Sequence, residues 1–279
     1  ANTLIQQFTA DGYRGRVMGF KDLVSDAAGV TISFIIWRMA NADQHILKVA
    51  HLFAGVLLFS AAVGLWHYVM RGPAGSRRLN LLWRVDRLYA GGFHHVASSG
   101  AHRVPSAGGV LLVSNHTAGI DPMLIQSTVR RPIRWLMAAE YMHSAMRWFW
   151  CVIEPIGVKR DGSDRNAARR AIEALGNGDI VGIFPQGHLP EAPGQMRPFD
   201  AGVALIAGRS GATIVPVWIS GTPFARGVWG SFVRPSRSHI AFGQPLTVAD
   251  LGLTDEHDHR AVAVAIQQRV EEVGRANDQ

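Results

Sequence analysis

The stretch GGVLLVSNHTAGIDP, Gly108 to Pro122, decides how the rest of the chain is read. A glycine pair opens it, the apolar run Val110 to Val113 with the small Ser114 follows, and His116 comes just after. Bounded by turn residues and too brief for a helix, the run reads as a short buried strand. Asp121-Pro122 reads as a helix start, with Asp121 as N-cap and the proline in the first turn, where its missing N–H is not needed. His116 and Asp121 stand five positions apart, which is not a pairing on one helix face. They meet only if the small residues between them form a turn. A His and Asp in contact support proton abstraction, the imidazole taking the proton while the carboxylate fixes its tautomer and stabilises its cation. The same residues also fit an ordinary strand-end histidine followed by a helix cap.

Working outward, apolar runs alternate with helical patterns. Ile133 to Ala138, Val152 to Val158, Ile180 to Phe184, Ile214 to Ile219 and His239 to Phe242 read as strands, and Asp164 to Leu175 and Gly202 to Gly208 as helices. This alternation predicts a layered α/β domain with a largely parallel central sheet flanked by helices. No P-loop, G-x-S-x-G elbow, internal repeat or low-complexity tract occurs, and GNGDIVG at 176–182 has the wrong spacing for a dinucleotide fingerprint. The stretch MHSAMRWFW at 142–150 reads as core, with an acyl-chain tunnel or a membrane-dipping surface as the alternative.

The chain has 279 residues, 48% of them hydrophobic, with 28 Lys+Arg against 21 Asp+Glu and a pI near 10.3. Such a balance suits a nucleic-acid binder or a protein at an anionic membrane. No zinc-type Cys/His spacing or RNA-binding motif occurs, so the membrane is preferred and no nucleic acid is expected. The single Cys151 rules out an internal disulfide and fits a reducing compartment. Residues 1–16 lack the pattern of a signal peptide. Val49 to Met70 carries no Asp, Glu, Lys or Arg over about twenty-two residues, enough for a ~30 Å hydrocarbon core. Ala27 to Trp37, only eleven residues, is a second candidate if the preceding residues join it. These segments predict an N-terminal membrane helix pair over residues 1–72 and a separate domain over 73–279. Arginines 71, 77, 78, 84 and 87 follow the longer span and place that domain on the cytoplasmic side, by the positive-inside bias. Gly72 to Ser76 reads as a linker. SRRLNLLWRVDRLY then reads as an amphipathic helix on the bilayer or a packing helix of the domain.

Four blocks over residues 76–250 carry a resemblance. NHTAGID at 115–121, CVIEPIGVKRD at 151–161, IFPQGH at 183–188 and IVPVWI at 214–219 resemble, in order, the four motifs of the glycerolipid acyltransferases typified by 1-acylglycerol-3-phosphate acyltransferase. The resemblance implies a membrane-bound enzyme that passes a fatty acyl group from acyl-CoA or acyl-carrier protein to the hydroxyl of a lysophospholipid. It implies His116 as general base, Asp121 as its orienting carboxylate, and neither metal nor cofactor. It assigns Lys159 and Arg160 to a phosphate, and the backbone around Gly187 to the oxyanion. The cell inner membrane, with catalysis on the cytoplasmic side, is the expected location. The first seventy residues more weakly resemble the last two helices of a major-facilitator transporter of the lysophospholipid type. A transporter fusion and a non-catalytic lipid-binding module are therefore alternative readings.

The third block departs from the family's FPEGTRS. Gln186 stands for its Glu, and His188-Leu189-Pro190 for Thr-Arg-Ser. Read as part of the headgroup site, Gln186, Gly187 and His188 predict a weaker grip on a phosphate monoester, with Arg197 as the compensating cation.

Overall fold

The computed structural model describes residues 26–34, 37, 44–70, 72, 76–159, 164–190, 192, 196–224, 227–253, 255 and 258–277. The RGRVMG-bearing stretch and Arg160 lie outside the described residues. The chain divides into two compact units, Ala1–Arg71 and Gly72–Gln279.

In the first unit, helix α1 (Gln44–Met70) contains one segment long and apolar enough to cross a membrane, Lys48–Tyr68, with none of it buried. At 1.5 Å per residue its 21 residues span about 31 Å. The sequence predicted a pair of such helices. Among the described residues there is one: residues 26–34 are helical but too few to span.

The second unit is a seven-stranded sheet between two helical layers. Its strands are β1 (Ala97–Ser99), β2 (Val110–Ser114), β3 (Ile133–Ala138), β4 (Ile156–Val158), β5 (Ile180–Ile183), β6 (Thr213–Ser220) and β7 (His239–Phe242), in the order β1-β7-β6-β2-β5-β3-β4. Every pairing is parallel except β6 with β7. β2 and β5, at the centre, are buried along their whole length. That is why they read as continuous apolar runs rather than alternating ones. Helices α2 (Arg77–Gly92) and α3 (Asp121–Thr128) pack together, with Ala90, Leu124 and Ile125 in the core on one face of the sheet. Helices α5 (Arg165–Gly176), α6 (Gly202–Ser210) and α7 (His259–Asn277) cover the other. Asp164 caps α5, its carboxylate accepting from Ala167 N at 3.0 Å, and Ala167, Ala171 and Ala174 recur on its buried face at the helical period.

Two readings of the sequence need correction. Val152 and Ile153 are not in a strand but end the short helix α4 (Arg147–Ile153). Glu154 follows in the left-handed conformation (φ 46°), and Pro155 cannot extend a helix, so β4 begins only at Ile156. A short apolar run looks the same as a buried strand or a helix end. The stretch 142–150 is not core either: no residue of α4 is buried, and Trp148 is 65% exposed.

Helix α2 is inverted for a packing helix of a water-soluble domain. It buries Asn80 and Asp86 and exposes Leu81, Val85 and Leu88 along one stripe. It is tied down at its end by His94, a fully buried ring bonded to Tyr89 Oη (3.1 Å) and Ser236 Oγ (2.8 Å). Tyr89 Oη in turn donates to the carbonyl of Phe232. Neither oxygen of Asp86 has a hydrogen-bond partner among the described residues, and burial pushes its carboxyl up to about 8. The folded state therefore keeps a proton that the unfolded chain, with a carboxyl near 3.8, gives up as pH rises from about 4 to 8. Stability falls through that window. Asp86→Asn should thus stabilise the domain by ~1–3 kcal/mol at pH 7.5 and by nothing at pH 4, as urea unfolding followed by pulse proteolysis will show.

Candidate active site

At the end of β2 the chain is fastened by side chains to β6 on one side and to the loop after β5 on the other. Asn115 extends the strand pairing by its side chain: Nδ2 donates to Ile219 O at 2.9 Å and Oδ1 accepts from Ile219 N at 2.8 Å. One residue on, the backbone N–H of His116 donates to Gln186 Oε1 at 2.5 Å, from the loop after β5. The backbone then turns over residues 117–120 and enters α3.

Asp121 closes that turn. Its carboxylate is fully buried and accepts from Thr117 N (2.6 Å), Ala118 N (2.9 Å), Thr117 Oγ1 (3.2 Å) and His116 Nδ1 (2.8 Å). It is not the N-cap that the sequence suggested. Asp121 is the first residue of α3, and its side chain reaches backward into the turn rather than forward onto the helix. A carboxylate on Nδ1 makes that nitrogen the donor and leaves the acceptor lone pair on Nε2. Nε2 has no partner among the described residues, and the ring is 17% exposed. Its face lies on Phe184, with centroids 4.1 Å apart and planes 16° apart. Gly119 faces Val228, whose carbonyl oxygen would stand 2.5 Å from any Cβ there. The turn is therefore walled on that side by the segment leading into the 3-10 helix Trp229–Val233.

The other predicted site residues fall less simply. Gln186 is 7% exposed and committed to the His116 backbone, so it does not present its oxygen to a ligand. A carboxylate at this position would accept the same N–H, and the exchange of Glu for Gln bears on the turn rather than on a headgroup. The N–H of Gly187 is also spent, closing a turn onto Phe184 O at 3.1 Å. The next N–H, that of His188, has no protein partner among the described residues, and His188 itself is exposed. Lys159 is exposed at the end of β4, three strands from β2, or about 14 Å of sheet. Arg197 is half-buried before Phe199. Sequence reasoning missed Asn115 and Phe184 as parts of this site, although both stand within the quoted motifs; nothing in a residue string says which side chain will bond a neighbouring strand.

Residues 95–220 match the acyltransferase family model, and they contain both His116 and Asp121. That match spans 126 of the chain's 279 residues, all within the unit that carries the sheet. The chain is 28% identical over 129 residues to a 1-acyl-sn-glycerol-3-phosphate acyltransferase of Borreliella burgdorferi, covering 44% of this chain and about half the length of that protein. It is 23% identical over 181 residues to the enzyme of the same name from Bacillus subtilis, covering 63% of this chain and 86% of that one. The crystal structure of the 1-acyl-sn-glycerophosphate acyltransferase PlsC of Thermotoga maritima superposes with a TM-score of 0.58 over 92% of this chain and 98% of that one, at 19% identity, and so shares its fold.

The side-chain bonds that hold the turn are testable through stability. Asn115→Ala strands both backbone groups of Ile219 and should cost ~2 kcal/mol or more; Gln186→Leu, which unpairs the N–H of His116, should cost ~1–3 kcal/mol. Thermal unfolding of the two variants checks both.

Proposed function

We propose that the chain is a membrane-bound acyltransferase that transfers a fatty acyl group from a thioester, acyl-CoA or acyl-carrier protein, to a hydroxyl of a lysophospholipid of the 1-acylglycerol-3-phosphate type or a related one, in phospholipid biosynthesis or remodelling. The observation that carries it is the His116–Asp121 contact at 2.8 Å, with Nε2 the ring nitrogen left for an acceptor hydroxyl. In this reading Nε2 takes the hydroxyl proton as the oxygen attacks the thioester carbonyl. Asp121 stabilises the imidazolium so formed. Collapse of the tetrahedral intermediate expels the thiolate, which recovers the proton from His116. The His188 N–H, rather than that of Gly187, is the candidate donor to the oxyanion. Lys159, Arg160 and Arg197 supply the cations for a phosphate. The reaction as written uses no cofactor.

The membrane part rests on Lys48–Tyr68 and on the outward stripe of α2, whose Leu81, Val85 and Leu88 lie among Arg77, Arg78, Arg84 and Arg87. An apolar stripe edged by cations suits an anionic bilayer surface. We place the protein at the inner membrane with its sheet domain in the cytoplasm.

His116→Ala should lower acyl transfer by ~10²–10⁴ with the fold intact, and full turnover by the folded variant would remove the assignment. Asp121→Asn should be severely impaired too, because an amide cannot stabilise the imidazolium. For the membrane, alkaline carbonate should fail to strip the full chain from vesicles; release without detergent would show that the Lys48–Tyr68 helix does not span.

A further inference from the structure

Resting on the acyl-transfer reading above, we propose that Phe184 and Trp135 are positioning residues, a two-ring stack that fixes the plane of His116 and stabilises the positive charge it gains in the reaction. The three rings lie parallel in one column: His116 on Phe184 at 4.1 Å and 16°, and Phe184 on Trp135 at 4.8 Å and 7°. Neutral rings prefer offset or edge-on contacts with centroids 4.5–7 Å apart. The His116–Phe184 separation is shorter than that, and an aromatic face, which carries the negative end of the quadrupole, attracts a cation placed over it. His116 is the ring in the column that becomes a cation.

The outer ring is built in at some cost. Trp135 is 8% exposed, and its Nε1 is buried without a hydrogen-bond partner among the described residues. A Leu or Phe would fill core space with no N–H to strand. The strand beneath is cleared for the indole as well. Trp135 on β3 pairs directly with Gly182 on β5, and a Cβ at 182 would stand 2.4 Å from the ring. Phe184 follows Gly182 by two residues, so the bare glycine, the indole and the phenyl ring belong to one face of the sheet. The indole presses on the back of Phe184 and leaves it no room to retreat from His116.

The test uses the full chain in detergent, with lysophosphatidate and palmitoyl-CoA as probes. Phe184→Leu should lower kcat about 3- to 30-fold with KM for both substrates unchanged, and Phe184→Tyr should restore it. Trp135→Leu should give a smaller loss of the same kind, restored by Trp135→Phe; this pair decides the matter if Phe184→Leu does not fold. Proton NMR of histidine-labelled protein supplies a readout that needs no turnover. The carbon-bound ring protons of His116, identified by their loss in His116→Ala, should be shifted upfield by the Phe184 face and move back in Phe184→Leu. Unmoved ring protons, an unchanged kcat, or a loss confined to KM would overturn the proposal. Full activity in His116→Ala would strike the acyl-transfer reading and with it the stack's catalytic part, while the ring protons would still report whether the stack fixes the imidazole plane.

Discussion

A buried carboxylate holds this site together. Asp121 is fully withdrawn from water, and a lone ionised group there would be prohibitively costly. It is tolerated because two consecutive backbone N–H groups, a hydroxyl and an imidazole all donate to it. Satisfying the charge and folding residues 117–120 into a turn are one event. From behind, Asn115 fastens the end of β2 to β6, and Gln186 fastens it to the loop after β5. The imidazole is thus set by three side chains, Asn115 just past β2, Gln186 in the loop after β5 and Asp121 at the start of α3, each bonded to backbone or to His116 itself.

Much of this was legible in the sequence, for physical reasons that differ from part to part. β2 and β5 could be read because central parallel strands are buried on both faces and show as unbroken apolar runs. α5 could be read because Asp164 announced it and its alanines recur at the helical period. The nearness of His116 and Asp121 could be framed as a condition, that TAGI should turn, which the structure meets. Val152 and Ile153 misled because two apolar residues have no period, and what settled them was the conformation of Glu154, a residue with no glycine-like signature. The aromatic run before them misled for a different reason. Aromatic side chains are usually core, and only the assembled domain shows that α4 lies outside it.

Gln186 is the more instructive case. Set beside a family motif, it drew notice as a departure in charge, and charge suggested a ligand. The structure gives it a task that depends on an acceptor oxygen alone, one that Glu and Gln share. The same holds for Gly187, whose left-handed φ of 71° does make a tight turn, but one that consumes its own N–H. A motif records which residues are kept; it does not distinguish those that touch substrate from those that hold the ones that do.

The contact between Gly119 and Val228 has a consequence for how the sequence can drift. Position 119 lies within the four residues that separate His116 from Asp121, none of which the acid–base pair itself specifies. Here it is not free: the backbone of Val228 already occupies the place of a side chain. A lineage that acquires any larger residue at 119 must first have moved or shortened the segment before Trp229. Substitutions at two places more than a hundred residues apart are thereby bound to a fixed historical order, with the loop changing first and the turn after it.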